Sequence, residues 1–129
     1  MSEIKILKEF KNSLITFVDE LISQFPEEGD LVIIRIFLKD QVPIEDVMNH
    51  VIHMILPLKQ LVITKDEKFF LENNVLFSAL NSGKVNHFKK LWRSGRLDND
   101  DKDVVWKWMT SFIFLAEKYQ KIKISNVSN

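Results

Sequence analysis

Leu7, Phe10, Leu14, Phe17, Leu21 and Phe25 recur alternately three and four residues apart, and this spacing constrains the fold more than any other feature of the chain. A helix completes a turn every ~3.6 residues, so these side chains line one face, which Ile4, Val18 and Ile22 widen. Burying a large apolar side chain contributes ~1.5–3 kcal/mol, so the stripe requires a cover from elsewhere in the chain. Ser2 suits the cap at its start, and Pro26 with Gly29 stops it.

The rest of the chain follows the same grammar. Only three glycines and three prolines interrupt 129 residues, which favours helices over turn-rich β architecture. Asp30–Leu38 carries a β-branched run that suits either a buried strand or a short buried helix. No partner strand is evident, so a helix capped by Asp30 is the better expectation. Pro43 begins a third helix, with Glu45 and Asp46 in its first turn, and Pro57 kinks or ends it. Thr64-Lys65-Asp66-Glu67 has the form of a capping box, with Thr64 as cap, launching a short helix through Phe69, Phe70 and Leu71 that fades near Asn73-Asn74. Ser82-Gly83 opens the next helix, with Val85, Phe88, Leu91 and Trp92 on one face and Gly95 as its stop.

The acidic run Asp98–Asp103 precedes a last helix with an apolar face of Val105, Trp108, Met109, Phe112, Leu115, Ala116 and Tyr119, and with Trp106 and Ile113 on its flank. The expected architecture is all-α: a compact single-domain bundle of five to seven helices over residues 1–122, with 123–129 a frayed polar tail.

Several chemistries are excluded or unsupported. The chain has no cysteine, which removes disulfides, thiolate metal sites and Cys nucleophiles. Asp46, His50 and His53 share a helix face but form only a partial ligand set, with no Glu-x-x-His partner on another helix, so no metal is expected. Asp98–Asp103 resembles the start of a calcium loop, yet Asp103 stands at the sixth position where glycine belongs and Met109 at the twelfth where glutamate belongs. Its acids suit a helix N-terminus instead. Gly-rich phosphate loops, nucleophile elbows and His-Glu-x-x-His are all missing from the sequence. No enzyme activity, cofactor or small-molecule substrate is expected.

Charge supplies the one partner-facing signal. Lys+Arg and Asp+Glu both number 18, so the formal net charge is zero. Residues 1–72 nevertheless hold 8 basic and 13 acidic side chains, a net of −5, while 73–97 hold Lys84, Lys89, Lys90, Arg93 and Arg96 with no acid, a net of +5. The basic helix 84–96, with Trp92 beside it as an anchor, is therefore the expected partner-binding surface, toward an acidic protein or the phosphates of a nucleic acid. A solvated face complementing the helix dipole is the plainer explanation of the same residues. Trp92, Trp106 and Trp108 at helical spacing are expected chiefly in the core. No run approaches the ~20 apolar residues of a membrane span, and the first residues mix Glu3 and Glu9 with Lys5, Lys8 and Lys11, so the chain is expected to be intracellular.

Four segments also occur in a characteristic order: FVDELISQFPE at 17–27, DEKFFLENN at 66–74, KKLW at 89–92 and VVWKWMTSFIFLAEKY at 104–119. In these the chain resembles small uncharacterised all-helical proteins of nucleocytoplasmic large DNA viruses of protists, over about Phe10–Tyr119. The resemblance carries no activity and no catalytic residue. It implies only a viral setting, in the virion or the host cell cytoplasm. The expected function is a non-enzymatic protein–protein interaction module, a minor structural component of a large virus particle. Nucleic-acid binding through helix 84–96 is the alternative.

Overall fold

The computed structural model describes residues 2–72 and 82–128, and among them it is all-α, with no strand. Helix α1 spans Glu3–Gln24, and the Ser2 Oγ caps it by accepting from the Lys5 N–H at 3.1 Å. Ile6 and Phe10 are completely buried and Val18 nearly so, with Leu7, Leu14 and Phe17 packed against the same core. Two positions depart from the expected stripe. Ile4 is 67% exposed, whereas Ile6, which the three-and-four pattern leaves out, is fully buried. The two lie on opposite edges of the stripe, and at the start of α1 only the edge that carries Ile6 is covered, while Val18, further along on the Ile4 side, is buried.

The Leu31–Leu38 run is helical, as expected: α2 spans Gly29–Ile36 and passes directly into a π-turn, Phe37–Gln41, closed by the Val42 N–H bonding to the Phe37 carbonyl at 3.0 Å. Asp30 is not its cap. Glu28 holds the cap position without a side-chain capping bond to the helix, and Asp30 lies in the first turn, where a negative charge favours the helix dipole. An Arg35–Asp19 ion pair at 2.5 Å and a Lys11 Nζ bond to the Lys39 carbonyl at 2.8 Å pin this segment along α1.

Pro43 is the N-cap of α3, Ile44–His50, and its carbonyl accepts from the Asp46 N–H at 3.0 Å. Pro57 distorts the helix without ending it. A proline has no N–H to donate, so the regular ladder gives way to a π-turn, Val51–Ile55, then a 3₁₀ turn, Leu56–Leu58, before α4 resumes over Lys59–Ile63. Lys65, at φ +56°, makes the sharp exit. The expected capping box does not form, and a simple cap two residues on replaces it. Thr64 closes α4, its Oγ1 donating back to the Gln60 carbonyl at 2.8 Å, and it is the Asp66 carboxylate that accepts from the Phe69 N–H, at 3.0 Å, to cap α5, Glu67–Glu72. The expected fading near Asn73-Asn74 lies outside the described residues.

Helix α6 spans Ser82–Arg93, and the chain leaves it through Gly95 at φ +81°, a left-handed conformation that glycine adopts without steric cost. The last helix, α7, spans Asn99–Ser128. The acidic run lies in its first turn rather than ahead of it. Asp98 Oδ1 accepts from the Asp101 N–H at 2.8 Å and Asp101 Oδ2 from the Asp98 N–H at 3.2 Å, a reciprocal cap. No glycine or proline follows, and the helix carries on past Ile122 to Ser128.

Helix α7 is the axis of the main core. It runs antiparallel to α1 on one side, where Phe112 meets Phe10 and Phe17, and to α3–α4 on the other, where Lys59 pairs with Glu117 at 3.0 Å and Lys65 with Asp103 at 2.9 Å. Packing on two sides is why Trp106 and Ile113, expected on its flank, are more deeply buried than Trp108 and Met109. Phe25, Leu31 and Leu97 form a second, smaller core.

Candidate functional site

The basic segment is less uniform than its sequence. The Lys84 side chain lies outside the described part of the structure, as do those of Val85, His87 and Phe88. Lys89 is half-buried, and Lys90 and Arg93 are exposed in the last turn of α6. Arg96 is engaged: its guanidinium pairs with Glu27 and rests on the Phe25 ring, 4.4 Å from the centroid. That hydrogen bond, helped by the residue's own backbone N–H, holds the Glu27 carboxyl below its ordinary value.

Trp92 does not stand out from the surface. It is half-buried, its Nε1 donates to Glu67, its ring meets Trp106 edge-on at 5.8 Å, and the Lys102 ammonium sits 5.3 Å from its centre. Lys102 also pairs with Glu67 at 3.2 Å, so one carboxylate ties α5, α6 and α7 together. Of the remaining tryptophans, Trp106 is buried as expected, and half-buried Trp108 stacks on Phe112 while donating to Glu20 at 2.8 Å.

His50 is half-buried and His53 exposed, and the π-turn that starts at Val51 breaks the regular spacing that would align them. Among the described residues no group of three or more His, Cys, Asp or Glu side chains is placed to hold a metal ion. No helix of the described residues is long and apolar enough to cross a membrane.

Two features emerge that the search for charged and chemical motifs passed over. The first is the outer face of α2. Val32 is 42% exposed, Ile33 58%, Ile36 45% and Phe37 50%, four large apolar side chains on neighbouring positions of one short helix and its π-turn. The signal was available in LVIIRIF, which is apolar nearly all the way round. A helix of that kind normally has every side covered, and here only Leu31 is fully buried by the chain itself. The second is a cavity of about 110 Å³ at the seam of the two cores, between α1, α2, α6 and α7.

Comparison of the chain with protein-family models, with curated proteins and with solved structures returns no match.

Proposed function

We propose that this chain is a non-catalytic helical module that works by protein–protein contact, and that the outer face of α2 with its π-turn is the contact surface. The observation that carries this is the exposed apolar cluster of Val32, Ile33, Ile36 and Phe37. Water contact over such a cluster is unfavourable by ~25 cal/mol per Å² of apolar surface, and removing it is what a partner contributes. The π-turn supports the assignment, since single π-turns are rare and recur at functional positions. The Arg35–Asp19 pair and the Lys11 bond to the Lys39 carbonyl hold the face in place before any partner arrives, which lowers the entropy cost of association. The resemblance to proteins of large DNA viruses supports a setting in a virion or infected cell, where this module would be a minor structural component.

Sedimentation over a range of concentrations, together with photo-crosslinking from position 33 and from position 90, tests the proposal. The expected result is concentration-dependent self-association that Ile33→Ser/Phe37→Ser weakens, or an adduct of defined mass formed from position 33 and not from position 90. A chain that stays monomeric and gives no adduct from position 33 refutes it. Adducts confined to position 90, with binding that weakens steeply in salt, would assign the contact to a nucleic acid on the exposed Lys90 and Arg93 instead.

A further inference from the structure

The seam cavity is walled wholly by apolar side chains. Phe25, Leu31 and Leu97 are its buried floor, and Leu21, Leu91 and Val105 are among its half-buried sides, so it is partly open to solvent. We propose that this cavity is a binding site for a small apolar molecule of about the size of one aromatic ring. Three observations lead there. The volume of about 110 Å³, in a pocket partly open to solvent, approaches the ~150 Å³ of apolar cavities that take up benzene or xenon. The walls offer water almost no hydrogen-bond partner, so an apolar ring displaces the water at them without breaking bonds to the protein. The one polar hydrogen among the lining side chains, the Trp92 Nε1–H, already donates to Glu67. A ring entering here loses part of its hydration and gains dispersion contacts with the apolar walls, while a hydroxyl directed at those walls finds no partner.

The test is a titration of the whole chain with benzene and with phenol, read by thermal midpoint and by methyl chemical shifts. Benzene is expected to bind saturably in roughly the millimolar range, raising the midpoint by a few degrees and shifting the methyls of Leu21, Leu91, Leu97 and Val105. Phenol is expected to bind at least about tenfold more weakly. Val105→Phe, which puts a ring of its own into the space, is expected to abolish the benzene response. Should that variant unfold, the wild-type methyl shifts decide alone. Methyls that do not move up to the solubility of benzene, shifts scattered over exposed methyls, equal binding of phenol, or undiminished binding by a folded Val105→Phe would each overturn the proposal.

Discussion

Phe112 offers the sharpest test of how this fold is held together. It is 6% exposed in the centre of α7, edge-on to Phe10 at 6.0 Å and to Phe17 at 5.7 Å, and stacked on Trp108 at 5.9 Å. Phe112→Ala removes a buried ring and leaves a cavity bounded by both α1 and α7, which cannot collapse without moving a helix. Core Phe→Ala changes cost ~3–5 kcal/mol, and aromatic pairs add ~0.5–1.5 kcal/mol beyond area alone, so a loss of about 4 kcal/mol is expected. That is a large share of the ~5–15 kcal/mol that stabilises a typical domain. In urea, with a slope of ~2 kcal/mol per M, the midpoint should fall by about 2 M. Phe114→Ala is the internal control: Phe114 lies two residues on and is 60% exposed, so its truncation should stay within about 0.5 kcal/mol. A Phe112→Ala loss below about 1.5 kcal/mol, or equal losses at the two positions, would show that α7 does not pack against α1 through this face.

Two further outcomes follow from the caps and charges. Asp66→Ala should cost about 1 kcal/mol through loss of the α5 cap, and Thr64→Ala no more than about 0.5 kcal/mol, when both are compared by denaturant midpoint; the reverse order would restore the cap to Thr64. Because Arg96 lowers the Glu27 carboxyl, its contribution to stability is complete above the ordinary carboxylate pKa and is lost as pH falls through the lowered one. Arg96→Ala should therefore flatten the acid limb of the stability–pH curve, and an unchanged limb would refute the pairing.

Much of the fold was legible because helical periodicity is a local property. The Leu7–Phe25 stripe announced α1, Ser2 its cap and Gly95 the exit from α6, since each depends on spacing or on backbone freedom within a few residues. Neighbouring details escaped for an equally physical reason. Thr64 and Asp66 both satisfy the sequence rule for a cap, and the difference lies in where α4 ends, which packing decides. The basic cluster of 84–96 was legible as charge, but not that Arg96 would fold back on Glu27 and Phe25, or that Trp92 would turn to Glu67. Those partners lie far away in sequence.

By itself, the sequence determined the helical class, several element boundaries, and the absence of cysteine chemistry from this chain, because periodicity, caps and composition act over a turn or two. Which apolar surfaces find cover was decided only in the tertiary structure. Ile6 rather than Ile4 is buried, α7 is enclosed on two sides, and the outer face of α2 is left in water. Burial depends on how helices distant in sequence meet, and a short helix that is apolar all round carries no local mark of which side its own chain will leave open.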